Sequence, residues 1–258
     1  MAGLRSKSMS NIHEKREALG QGLQQFLTYC DQAEALITSK EVTPSPQMDF
    51  SSLIDEILPL PLDKDAPEGA TMKQLQRMVF ECTRCPLCET RTHTVFGEGA
   101  LPARLLIIGE GPGANEDATG RAFVGKAGQY LDTWLTPVGL SRTTNVYLAN
   151  IVKCRPPENR NPHSDEVFSC LPFVKRQIQL VKPELILMVG GVASKALLNT
   201  DEGVGKLRGH FHRYEGVPVL VTYHPAAVLR NEELKRPVWE DIKKVAAFLN
   251  LTLQGKSK

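Results

Sequence analysis

Residues 105–128 read LLIIGEGPGANEDATGRAFVGKAG. The run Leu105–Ile108 is short, continuous and apolar, as in a strand covered on both faces. The chain then turns sharply into glycines, a proline and acidic residues. Glycines let the backbone approach a ligand closely. A helix starting near Gly125 offers free N–H groups to an anion. Two nucleotide readings fail here. The dinucleotide pattern GxGxxG is not in the required position, and Gly125-Lys126 is followed by Ala127 where a phosphate-binding loop needs Ser or Thr. What remains is a polar pocket loop carrying Glu110, Glu116 and Asp117. It also holds Phe123, an aromatic with no helical or strand pattern around it. An exposed loop aromatic suits stacking on a planar ligand, whereas most loop phenylalanines plug a nearby core.

Outward from this loop, apolar runs alternate with helical ones. Residues 127–138, 165–181, 193–198 and 238–249 have helical periodicity. Residues 146–152, 185–189 and 217–222 read as buried strands. Thr71 and Gln74 have capping-box spacing before a short helix that ends near Phe80. Buried strands separated by helices predict an α/β fold with a parallel sheet covered on both sides. In such sheets chemistry sits at the carboxyl ends of the strands, where every polar motif of this chain falls.

The chain has 258 residues, 41% of them hydrophobic and 23% charged, which is ordinary globular usage. No apolar run is long enough for a membrane span. The N-terminus lacks an apolar signal core, so a cytoplasmic protein is expected. The net charge of +2 hides an asymmetry: residues 1–70 carry −5, and residues 71–258 carry +7. The larger part is basic, as suits a nucleic-acid binder. A division into an extension (1–70) and a domain (71–258) follows. In the extension, residues 11–37 read as an amphipathic helix whose apolar stripe offers a face to the main domain or to a protein partner. A Ser-, Thr- and Pro-rich linker and an acidic, proline-containing stretch follow it.

Six cysteines are too few for a disulfide scaffold. Cys82, Cys85 and Cys88 form CTRCPLC, with Cys154 and Cys170 far downstream. A tight pair plus two distant thiols can close a four-thiolate site for zinc or for an iron–sulfur cluster. Thiolates suit either metal, although the wide second pair favours a cluster. Spacing leaves open which two of the first three take part. Cys30 falls on an apolar helical stripe and reads as a small buried hydrophobe.

Two further strand ends carry polar residues. Asn150 offers both a donor and an acceptor, which matches a nucleobase edge, although turns also use Asn. His224, before Pro225, is poised to donate to a developing anion. Lys206, Arg208, Arg213, Arg230, Lys235 and Arg236 supply cations for phosphates, several of them expected to be only a solvated face.

Taken in order, CTRC (82–85), VFGEG (95–99), GEGPG (109–113), GRAFVGKAGQ (120–129), NIVKCRPPENRNP (150–162), Cys170 and HPAAVLR (224–230) resemble the family 4, iron–sulfur uracil-DNA glycosylases. The resemblance covers roughly residues 75–250. It implies a three-layer α/β/α sandwich with a central four-stranded parallel sheet, here with an N-terminal helical extension. It implies a structural [4Fe-4S] cluster on Cys82, Cys85, Cys154 and Cys170, leaving Cys88 as an extra thiol. It implies a monomer that acts on uracil-containing DNA. By the same resemblance Phe123 stacks on uracil, Asn150 reads its edge, and His224 bonds its oxygen as charge builds. Glu110 and Gly111 line the pocket, Glu116 is a pocket carboxylate, and Asn159 lies near the sugar. The 224–230 segment enters the duplex, with Arg230 near the backbone. Two departures stand out. Ala226 occupies a position where the family often has Ser. Gly111 occupies a position where other uracil-DNA glycosylases carry a water-positioning aspartate, which leaves that catalytic part to Glu110, Glu116 or a neighbouring polar group. The sister branch that traps the sugar covalently has an inserted basic loop with a histidine. Residues 201–216 hold His210 and His212 but not that basic run, which argues against a covalent adduct; with no lysine evident in a Schiff-base role, a monofunctional glycosylase is expected. A non-catalytic nucleic-acid binding module and an electron-transfer protein are the competing classes.

Overall fold

The computed structural model describes residues 67–253. The expected helix at 11–37, the linker after it and Cys30 lie outside the described residues.

Helix α1 (Met72–Phe80) starts at the expected capping box: Thr71 Oγ1 accepts from Gln74 N, and Gln74 Oε1 accepts from Thr71 N. A short turn of helix, α2 (Leu87–Thr90), follows the first cysteines. Then come β1 (Glu98–Gly99), β2 (Leu105–Gly109), α3 (Ala114–Thr119), α4 (Lys126–Leu135), β3 (Val146–Asn150) and α5 (Ser164–Val181). The chain continues through β4 (Leu185–Val189), α6 (Gly191–Leu198), α7 (Val204–Leu207), β5 (Phe211–Tyr214), β6 (Val217–Thr222), α8 (Pro225–Arg230) and α9 (Lys235–Phe248).

The sheet order is β1-β3-β2-β4-β6-β5. Its four central strands are parallel, in the register Leu105↔Val146, Leu105↔Leu185 and Ile186↔Val219. The expected central four-stranded parallel sheet is present, and two further edge strands, β1 and β5, extend it by antiparallel pairing. Both were illegible for physical reasons. Two residues make no period, and FHRY in β5 carries the charged Arg213, as edge strands do to avoid further pairing.

Successive side chains of each central strand enter opposite layers. Leu106, Ile108, Ile186 and Met188 pack with Leu75 and Val79 of α1, Phe173 and Ile178 of α5, and Leu197 of α6. Leu105, Ile107, Leu185 and Leu187 pack with Leu131 and Trp134 of α4 and Ile242 and Val245 of α9. Each such fully buried aliphatic side chain contributes about 1.5–3 kcal/mol. The two cores and the sheet between them make the three layers.

Element ends moved slightly. The helix expected to Val138 stops at Leu135 and continues as a tighter turn holding Pro137. The strand expected to Val152 ends at Asn150. Beyond it, Ile151 N and Val152 N still donate to Gly109 O (2.9 Å) and Glu110 O (3.0 Å). The connections from β2 lead to β3 on one side, and the chain then crosses back to β4 on the other. Sheets with such a reversal bind ligands in the crevice at the carboxyl ends of their strands. Among the described residues no helix is long and apolar enough to cross a membrane.

Candidate active site and thiol cage

The crevice is built around Gly109, the last residue of β2, which lies in register with Asn150 of β3. A Cβ on Gly109 would stand 2.6 Å from Asn150 Oδ1 and 2.7 Å from Phe123 Cζ. Only glycine fits, and its bareness lets the Asn150 amide and the Phe123 ring converge on one spot. Both side chains are buried, Asn150 at 3% exposure and Phe123 at 5%. The expected exposed aromatic is thus a ring seated against the α4 side of the core.

Phe123 has a left-handed backbone, φ +52°, an uncommon conformation that the surroundings must hold in place. Arg142 donates to Ala122 O (3.0 Å) and Phe123 O (2.9 Å). It is itself anchored by Asp132 and Glu98, both at 2.9 Å. On the other side Glu116 accepts from Val124 N (2.9 Å) and Gly125 N (2.7 Å) through one oxygen, and from Gly113 N (3.1 Å) through the other. Both Glu116 oxygens are therefore engaged with backbone. Its geometry is that of a clamp between two pocket loops. A Cβ on Gly128 would reach 1.9 Å from Phe123 O, so the helix that follows must be bare there.

His224 caps α8, and its Nδ1 accepts from Ala226 N at 3.2 Å. The ring proton of the neutral imidazole is thereby on Nε2, leaving that nitrogen as a donor. Burial pulls His224 down to about 4, the Arg230 charge adds to this, and Glu116 opposes it. Near pH 7 the ring is neutral. Two residues before His224, Thr222 Oγ1 donates to Asp241 (2.7 Å), which also pairs with Arg208 (2.9 Å). Arg208 also lies over the Tyr223 ring, 5.9 Å from its centroid. Gly190, after β4, brings the backbone close to His224: an added Cβ would lie 3.1 Å from His224 Cβ.

The Glu110 carboxyl is raised above its ordinary range by burial. Gly111 leaves no space for a side chain as the loop stands, because a Cβ there would be 2.6 Å from Val152 Cγ2. Asn159 and Arg230 are both exposed. Asn159 has φ +56° and accepts from Arg155 Nε at 2.8 Å. Of the cations expected to face phosphate, Arg208 is tied to Asp241 and Lys235 to Glu232.

The thiols gather beside the α5 layer. Cys82, Cys85, Cys88, Cys154 and Cys170 line one cavity together with Arg91 and Lys153. Among the described residues no three metal-binding side chains close on a single point as a lone ion requires. The thiols ring a space instead. Arg91 donates to Cys154 Sγ (3.1 Å) and Lys153 N to Cys170 Sγ (3.3 Å). Burial pushes Cys154 up to about 11 and Cys170 up to about 12. Bare thiolates are disfavoured at this depth, and a bound metal centre that deprotonates them supplies the missing positive charge. Cys82 and Cys85 act electrostatically on Cys154, Cys82 acts on Cys170, and both Cys82 and Cys88 act on Cys85. The donor set, its N–H partners and its depth fit a thiolate-bound cluster.

Two residues of this region escaped the sequence reading. Arg142 sits in a polar turn with no pattern around it. Lys153 left a signal: an ionisable residue inside the otherwise apolar run IVKC.

A family model described as the uracil DNA glycosylase superfamily matches residues 96–243. The chain is 41% identical over 179 residues to a type-4 uracil-DNA glycosylase of Pyrobaculum aerophilum, covering 66% of this chain and 91% of that protein. It is 41% identical over 182 residues to the type-4 enzyme of Thermotoga maritima, covering 69% and 94%. A type-5 uracil-DNA glycosylase of Pyrobaculum aerophilum is 30% identical over 195 residues, covering 62% and 84%. With a crevice and thiols arranged as described, and with these likenesses across the whole α/β domain, the chain belongs to the type-4 branch of the uracil DNA glycosylase superfamily.

Proposed function

We propose that this protein is a monofunctional uracil-DNA glycosylase of DNA repair. It hydrolyses the N-glycosidic bond of uracil in DNA and leaves an abasic site. The observation that carries the reading is the convergence of the Asn150 amide and the Phe123 ring over Gly109. It lies at the sheet edge that also ends in a neutral His224 with its proton on Nε2.

Uracil inside a duplex is out of reach, so the nucleotide is flipped out. Phe123 stacks on the base, and Asn150 reads its edge through one donor and one acceptor. The loops of Glu110 and Gly111 close around it. As the bond from the sugar to uracil breaks, negative charge grows on the uracil oxygen and positive character on the sugar. The His224 Nε2–H donates to that oxygen without first taking up a proton. Water then adds to the sugar carbon; its hydroxyl stays there, and its proton is released to a neighbouring base. The 224–230 segment enters the duplex with Arg230 near the DNA backbone, and Asn159 lies on the sugar side. Buried Lys153 does not suit a Schiff-base role, because its Nζ is held by Asn150 O and Gln177 Oε1.

Cys82, Cys85, Cys154 and Cys170 would hold a [4Fe-4S] cluster, with Cys88 as a neighbouring free thiol. When bound, the cluster supplies a cross-link between the α1–α2 segment, the loop after β3 and α5. Residues 1–70 are an extension outside the catalytic domain. We place the enzyme as a monomer in the cytoplasm, where thiols remain reduced.

The test is single-turnover uracil release from labelled single- and double-stranded oligonucleotides, with iron counted in the same preparation. Free uracil and an alkali-labile abasic site are expected. A fully metallated protein that binds the DNA and releases no uracil would refute the reading.

A further inference from the structure

Lys153 is 1% exposed, yet no carboxylate among the described residues pairs with it. Its Nζ donates to two neutral oxygens, Asn150 O at 2.8 Å and Gln177 Oε1 at 2.6 Å. Gln177 is itself fully buried, and its Nε2 donates to Phe96 O at 2.9 Å. The backbone N of Lys153 donates to Cys170 Sγ, and its neighbour in sequence is Cys154. An ammonium buried without a counter-ion costs several kcal/mol. Lys153 lines the same cavity as the thiols of Cys154 and Cys170, whose thiolate forms would offset that cost. The same ammonium holds the carbonyl of Asn150, whose side chain projects over Gly109.

We propose that Lys153 is a positioning residue that ties the thiol cage to base recognition. Its ammonium is the internal countercharge of the cage, and its hydrogen bond to the Asn150 carbonyl sets how Asn150 is presented in the crevice. The proposal rests on the glycosylase and cluster readings above. A link of this kind acts through another residue, so its loss lowers the rate without removing any group that touches the base. Partners at this remove typically change activity by about 10–100-fold.

The experiment uses the full chain, purified anaerobically, as wild type, Lys153→Met, Lys153→Arg, Asn150→Ala and the Lys153→Met/Asn150→Ala double variant. Iron content, the cluster's midpoint potential on an electrode and single-turnover uracil release are measured. Lys153→Met is expected to shift the potential to a more negative value, because removing a nearby positive charge disfavours the reduced, more anionic form. It is expected to slow uracil release by about 10–100-fold. That penalty should vanish in the Asn150→Ala background, because the two residues act as one unit. Lys153→Arg, which keeps the charge, should restore the potential. If Lys153→Met fails to fold, Lys153→Gln is read in its place, and a wild-type potential in that variant overturns the countercharge. An unchanged potential in Lys153→Met, or a rate penalty that adds in full to that of Asn150→Ala, overturns the proposal alone. A wild-type protein without iron, or without uracil release, overturns the readings beneath it.

Discussion

A histidine of ordinary pKa, near 6.5, changes charge across the neutral range, whereas His224 is pulled down to about 4 by burial and by Arg230. Replacing it with alanine tests both its chemistry and its charge state. The lost donor to a developing anion is expected to slow uracil release by about 10²–10³-fold. DNA affinity should change little, because phosphate contacts dominate it. In the wild type, His224 adds no inflection to the rate between about pH 5.5 and 8.5, since the ring is already neutral there. Stability gives a second reading. The folded-state pKa lies below the unfolded one, so the unfolded chain binds more protons, and acid favours unfolding. The contribution is fully present above about pH 6.5 and is lost as the pH falls toward 4. Between pH 7 and pH 5 those two pKa values imply a loss of about 2 kcal/mol from this one ring. Other groups cancel when His224→Ala is melted in urea beside the wild type at each pH. The gap between the two proteins should therefore shift by about that amount, against the wild type, on acidification. A rate inflection near pH 6.5 that disappears in His224→Ala would refute the neutral donor, as would an unchanged gap in stability.

Three further outcomes are expected. Cys154→Ser should lose iron and destabilise the domain, whereas Cys88→Ser should keep iron; iron analysis with thermal melts separates them, and stoichiometric zinc in the wild type would end the cluster reading. Arg142→Met frees the carbonyls of Ala122 and Phe123, so the strained Phe123 turn relaxes; stacking of the flipped base, about 1–3 kcal/mol by the ring, should weaken in part, measured as reduced affinity for DNA with a flipped uracil analogue. A chain beginning near Ala70 should keep most activity on short oligonucleotides, and loss of turnover with intact folding and iron would place residues 1–70 within the site.

The strands and helices of the domain were legible because a buried parallel strand is a continuous apolar run and a covering helix repeats every 3.6 residues. Leu185–Val189 and Val217–Thr222 therefore agree with the sequence reading at both ends. The family was legible because GEGPG, CTRC and HPAAVLR are local in the chain. What local sequence could not carry were contacts between distant segments. Glu116 reads as a pocket carboxylate, yet its two oxygens clamp Gly113, Val124 and Gly125. Phe123 reads as an exposed aromatic, yet folding seats it in the core under the grip of Arg142, nineteen positions away. The tautomer of His224 depends on a backbone N–H two residues on, which only the turn into α8 aims at Nδ1. Lys153 shows the division most plainly. The sequence alone placed a lysine in an apolar run before a cysteine. Only the packing of α5 against β3 decided that this charge would be buried between Gln177, the Asn150 carbonyl and the thiols. The reason is physical: periodicity and spacing fix which surfaces are hidden, while the partners of a hidden polar group come from wherever the fold brings another chain segment within hydrogen-bonding distance.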